Sequence, residues 1–169
     1  MKHLTVCILL ISMLLTGCST KTQQPTLSYE ERTDLYETAI ESARDEATNE
    51  SIPLINDADD DNAQTVFDLL NVAPEDMNAY AISVSLMSEK AYAVAAIYPA
   101  AGKEDAVLES LRRFMISRQQ SFKEHLSDQY EIAVNTRLET LEDGTILLAM
   151  CENQDALFHS IRNVIERRK

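Results

Sequence analysis

Four groups of residues in this chain have the types and spacing to do chemistry. The first is Leu15-Thr16-Gly17-Cys18, which closes the apolar run of residues 6–15 that follows Lys2 and His3. A charged start, a short apolar run and small residues before a cysteine form a bacterial lipobox: a signal peptide, residues 1–17, cut between Gly17 and Cys18. The chemistry is thioether formation, which leaves a diacylglycerol on Cys18 and an acyl chain such as palmitate on its amine. The run is too short for an uncleaved anchor, which needs about 20 apolar residues to cross roughly 30 Å of hydrocarbon. Two or more acyl chains hold a protein durably on a bilayer, so the expected location is the extracytoplasmic face of the cell membrane.

The second group is acidic. Asp57, Asp59 and Asp61 stand at the first, third and fifth places of a calcium loop, and Asp68 falls at the twelfth. Alternating hard oxygen ligands suit Ca²⁺. Two departures weigh against that use: Asn62 stands where the sharp turn wants glycine, and Asp68 is shorter than the bidentate glutamate normally found there. A solvated acidic loop that caps the next helix explains the same residues.

The third group could support nucleophilic catalysis. Removal of the signal peptide and lipidation of Cys18 leave Cys151 as the one free thiol, with His125 and His159 as the remaining histidines. Cys151 closes an apolar strand with no basic neighbour in sequence to lower its pKa, which reads as a buried, inert thiol. Both histidines have polar flanks, and no Gly-x-Ser-x-Gly elbow accompanies them. A hydrolase would have to assemble its site from distant positions. The fourth group is defined by its scarcity: beyond Gly17 the glycines are Gly102 and Gly144. Phosphate-cradling loops need several at fixed spacing, so nucleotide and dinucleotide sites are excluded, and no cofactor other than the covalent lipid is expected.

Charge narrows the partners further. The net charge is −13, and residues 29–76 alone carry 15 acidic side chains against Arg32 and Arg44. That field disfavours nucleic acid, whose binding requires cations that displace counterions, and it repels an anionic lipid surface. Residues 18–27 then serve as a polar tether, and residues 28–169 as one α+β domain.

The elements that must position these groups are legible in period and punctuation. Ser28-Tyr29-Glu30-Glu31 forms a capping box, and Leu35, Tyr36, Ala39, Ile40, Ala43 and Ala47 recur at helical spacing behind it. A helix over residues 64–70 capped by Asp61 and a turn at Pro74 come next. Tyr80, Ile82, Val84 and Leu86 alternate with Ala81, Ser83, Ser85 and Met87, and Tyr92, Val94, Ala96 and Tyr98 alternate in the same way, which predicts an antiparallel hairpin. Tyr80, Tyr92 and Tyr98 could line a ligand groove, but aromatics at strand spacing more often pack on the sheet. Residues 103–125 form the longest helix, with Val107, Leu111, Phe114, Arg118 and Phe122 on one side. After a short helical passage around residues 130–134, Asp143-Gly144 marks a second hairpin between residues 137–141 and 145–151, with both turn residues at positive φ. Asn153 caps a last helix that carries Leu157, Ile161, Val164 and Ile165. The order ββα-ββα predicts an antiparallel sheet of about four strands covered by helices, with an added N-terminal helical region.

Three stretches, VFDLLNVAPEDMNAYA at residues 66–81, IYPAAGKED at residues 97–105 and SFKEHLSDQY at residues 121–130, carry a resemblance. They resemble small bacterial lipoproteins, chiefly of Firmicutes, that carry domain of unknown function 4358. The resemblance covers residues 62–166. It implies a lipid-anchored extracytoplasmic protein and supplies no catalytic or ligand-binding residues. The leading expectation is therefore a noncatalytic module that binds a membrane or envelope protein. A calcium or small-ligand sensor built on residues 57–68, and an envelope hydrolase with a dispersed site, are the alternatives.

Overall fold

The computed structural model describes residues 27–168. The predicted signal peptide, its cleavage position Gly17, the lipidation position Cys18 and all but the last residue of the tether lie outside the described residues. Six helices surround one antiparallel sheet in the described region: α1 (Tyr29–Ala43), α2 (Glu46–Ser51), α3 (Ala63–Leu70), β1 (Met77–Val84), β2 (Ala93–Pro99), α4 (Glu104–Phe122), α5 (Ser127–Val134), β3 (Arg137–Thr140), β4 (Ile146–Met150) and α6 (Gln154–Arg167). The ββα-ββα order and the N-terminal helical region are both present, and the class is α+β.

The strand order is β1-β2-β4-β3, antiparallel throughout. The chain leaves β2 through α4 and α5, lays β3 at the far edge, and returns with β4 into the gap beside β2. Period-two alternation sorts the side chains between two cores. Tyr80, Ile82, Val84, Ala95, Ile97, Ile146 and Leu148 face α3, α4 and α5. Ala79, Ala81, Val94, Ala96, Leu147 and Ala149 face α1 and α6. Alanines on that second face let the narrow Ala39–Ile40 stripe of α1 lie close to β1 and α6. The acidic N-terminal helix is thus docked on the sheet. Helices on both faces also explain why β2 and β4 are buried almost throughout.

Local chemistry agrees with the sequence at several ends and departs from it at others. The Ser28–Glu31 capping box is formed in both directions, at 3.2 and 2.8 Å. The helix expected to continue to Ala47 stops at Ala43, because Asp45 accepts from the Thr48 amide at 2.7 Å and caps a new helix, α2. Asp61 does not cap α3. Its N-cap is Asn62, without a side-chain bond, while the Asp60 carboxylate takes the amides of Asn56 and Asp57. Asn153 is the N-cap of α6, but in the left-handed region at φ 57° and again without a side-chain bond. In the second hairpin Gly144 alone has positive φ, +89°, whereas Asp143 does not. The Gly144 amide donates to the Leu141 carbonyl at 3.0 Å and the Leu141 amide to the Thr145 carbonyl at 2.7 Å, which closes the loop over residues 142–144, where the sequence places it. Leu86 leaves the strand and is exposed.

The sheet's edges are handled differently. On the free side of β1, Ile55 exchanges both backbone hydrogen bonds with Ile82, at 2.7 and 2.9 Å. On the free side of the sheet's other margin, β3 is four residues long, and its Arg137 bonds Glu139 and Asp155 while Arg162 reaches the same glutamate.

Candidate functional site

α1 connects two ends of the sheet, about 22 Å apart by its length. At its start, Tyr29 packs on Tyr98, and Arg32 donates to Asp143 at 2.7 Å while lying 4.0 Å over the Tyr98 ring. The Tyr36 hydroxyl completes this end with a 2.6 Å bond to Thr145. Burial works against the charge on Arg32, and the bonds from Asp143 and Tyr36 outweigh it, so its pKa rises. Burial likewise works against the Asp143 carboxylate, but Arg32 and Thr145 together hold its pKa below the ordinary value.

At the other end of α1 a groove of about 620 Å³ opens between the end of α1, the start of α2, the β1–β2 loop, α5 and the start of α6. Arg44, Tyr92, Gln129, Cys151 and Asn153 are among the side chains that line it. Arg44 caps the C-terminus of α1, where a cation meets the negative end of the helix dipole. It is 9 % exposed, and its hydrogen bonds run to neutral acceptors: Nη1 donates to Ser83 Oγ at 2.6 Å and to the Ile52 carbonyl at 3.3 Å. Its Nε is buried without a partner, and so is the Tyr92 hydroxyl. Burial raises the pKa of Tyr92, opposed by the Arg44 charge and by Ser83. These two act from nearby without closing a hydrogen bond of normal geometry.

The wall formed by the β1–β2 loop is held from two sides. Gln129 Oε1 accepts from the Ala91 amide at 2.7 Å, and Arg118, stacked over Phe122, donates to the carbonyls of Lys90 and Met87 at 3.0 and 3.3 Å. Desolvation lowers the pKa of Arg118. The Cys151 thiol lies in the groove wall, and burial, with the Glu152 charge beside it, pushes it up to about 11. It is a poor nucleophile at neutral pH.

Of the residues singled out from the sequence for chemistry, ligand binding or capping, Tyr92, Cys151 and Asn153 line this groove and the others lie elsewhere. His125 is exposed beside Glu124, and His159 is exposed on α6. Tyr80 packs edge-on against Phe67, and burial with the charges of Asp57, Asp60 and Asp59 pushes its hydroxyl up to about 12. The acidic loop does not line the groove. Asp57 Oδ1 accepts from the Asp59 amide, and Asp68 accepts from Gln64 one turn earlier on α3. Among the described residues no three His, Cys, Asp or Glu side chains are grouped so as to hold a metal ion. Tyr92, one of three tyrosines that the sequence offers as groove lining or sheet packing, does both, since it is buried in the second core and lines the groove. Arg44 is the groove residue that sequence reasoning passed over. A signal existed for it: Arg44 is one of two cations in the most acidic stretch of the chain.

An α+β domain with a four-stranded antiparallel sheet, helices on both faces and a groove at one sheet end defines the class of protein. The chain belongs to the family described as a domain of unknown function, DUF4358, whose family model matches residues 50–151. The match begins before residue 62 and ends before α6, so it takes in the acidic loop and the β1–β2 side of the groove, while Arg44 and Asn153 lie beyond it. No curated protein and no solved structure matches the chain. Among the described residues no helix is long and apolar enough to cross a membrane.

Proposed function

We propose that this protein is a noncatalytic binding module, anchored by lipid on Cys18 to the extracytoplasmic face of the cell membrane, whose groove receives an envelope or membrane partner. One observation carries the reading. The chain enters the domain at Ser28, beside Tyr98 and the β3–β4 loop, and the groove opens at the opposite end of α1. A tether attached at Ser28 would leave the groove as the end farthest from the bilayer. The polar residues 18–27 would add up to roughly 30 Å of standoff when extended. The exposed Leu86 and Met87 stand at that same distal end, next to Lys90, where an apolar contact surface serves a protein partner rather than the bilayer.

The test is site-specific photocrosslinking in intact cells. A crosslinking side chain at Glu89, on the groove rim, is expected to capture one protein in near-stoichiometric yield. The same side chain at Glu124, on the surface near His125, is expected to capture none. Cys18→Ala is expected to release the protein from membranes and abolish the capture. Equal labelling from the two positions, or capture that survives Cys18→Ala unchanged, would refute the reading.

A further inference from the structure

The inference drawn here deepens the binding-module reading and rests on it, because it names what the groove recognises. Its floor and its rim carry opposite signs. Arg44 is buried in the wall with both of its protein hydrogen bonds leaving from Nη1, so the edge formed by Nε and Nη2 is spare. Native proteins leave few buried polar atoms unpaired, and here the Tyr92 hydroxyl, on a side chain 7 % exposed, is a second one in the same groove. The 14-residue helix α6 opens onto the groove at Asn153 and Ala156 with no side-chain cap, so its first-turn amides have no acceptor within the helix. These features favour an anionic group of two oxygens, which a guanidinium edge binds in a fork.

The rim excludes most anions. Glu89 and Glu152 stand on it, Asp45 adds a third carboxylate already engaged in capping α2, and the exposed Lys90 is the one cation among them, so the rim is net negative. A phosphate or polyanion would meet that repulsion without a glycine-rich cradle, and a simple cation would meet Arg44. A molecule carrying both signs meets neither penalty. Between these charges, Ala43, Ala91, Ile132, Ala156 and Leu157 give part of the lining an apolar character that suits small side chains, beside the polar Thr48 and Gln129.

We infer that the groove binds a zwitterionic amino acid or short peptide, its carboxylate on the spare edge of Arg44 and the start of α6 and its ammonium toward Glu89 and Glu152. The Tyr92 hydroxyl supplies a further donor beside the carboxylate.

The experiment is calorimetric titration of the full chain, in detergent, with Ala-Ala-Xaa tripeptides covering the ordinary side chains, each as the free acid, the C-terminal amide and the N-acetyl derivative. The free acid of at least one tripeptide is expected to bind. Amidation is expected to weaken it by at least about tenfold, because it removes one partner of a buried charge pair. N-acetylation is expected to weaken it less, because the rim is exposed. Arg44→Gln should abolish the difference between acid and amide. The amide comparison is made on unaltered protein, so it remains decisive even if Arg44→Gln fails to fold. Equal affinity for acid and amide, or no binding by any free acid at millimolar concentration, overturns the inference. If Glu89 crosslinking still captures a protein partner in that case, the binding-module reading stands and the ligand class alone is wrong.

Discussion

Arg32, in α1, and Arg44, the residue that caps its C-terminus, are equally buried, at 9 % exposure, yet their surroundings are opposite. Arg32 meets a carboxylate, a phenol and an aromatic face within one cluster. Arg44 meets a serine hydroxyl and a carbonyl, with one nitrogen left over. A buried cation is costly to desolvate, and its own carboxylate offsets that cost. The first arginine is therefore complete within the fold and works as a clamp between α1 and the β3–β4 loop. The second is incomplete, and the position of its spare edge in a groove gives the incompleteness a use.

The contrast is most sharply broken at the paired end. Asp143→Ala leaves Arg32 buried without its carboxylate and is expected to cost about 3 kcal/mol, or roughly 10 °C in melting temperature, read by denaturant and thermal unfolding. Replacing both partners by apolar side chains, Arg32→Met with Asp143→Leu, should recover much of that loss, since it is the lone charge that is expensive.

Acid should weaken the same end next. Arg32 and Thr145 hold the folded pKa of Asp143 below the ordinary aspartate value, against the effect of burial, so the pair's contribution is fully present above that ordinary value and is lost as pH falls through it towards the folded pKa. Urea midpoints measured from about pH 6 down to pH 2 should show this fall, and Asp143→Asn should flatten it.

Gly144→Ala tests the loop that presents Asp143. The glycine holds φ +89°, and an added Cβ would stand 3.4 Å from the Tyr98 ring, so a loss of about 1 to 2 kcal/mol is expected in the same assay. Arg44→Met should have the smallest effect, about 1 kcal/mol or less, because it removes bonds to neutral acceptors and also removes an unpaired buried charge. A loss at Arg44 as large as that at Asp143 would erase the distinction between the two ends.

Much of this fold was legible in the sequence because its signals are local. The Ser28–Glu31 box, the alternation from Tyr80 to Val84 and the stripe from Val107 to Phe122 each report on neighbours within a turn or two of chain. The break between α1 and α2 was local too, yet the helical spacing that runs on to Ala47 masked the Asp45–Thr48 cap. The strand order was not legible, since placing β4 between β2 and β3 depends on a crossover through α4 and α5. The groove was hidden for a related reason. Arg44, Ser83, Tyr92 and Asn153 come from four separated segments, and nothing in their spacing announces that they meet. Cys151 and the aspartates of residues 57–61 drew attention by residue type, whereas burial and neighbouring charge are what decide their chemistry.

The margins of the sheet bear on how copies of the protein live beside one another. Ile55 occupies the open side of β1 with both backbone bonds, and the opposite margin is a four-residue strand fringed by Arg137, Glu139 and Arg162. Neither offers a long, bare backbone for another copy to continue. A population crowded onto a surface, all facing the same way, could therefore reach high density as separate molecules and keep every groove open instead of zipping into a filament.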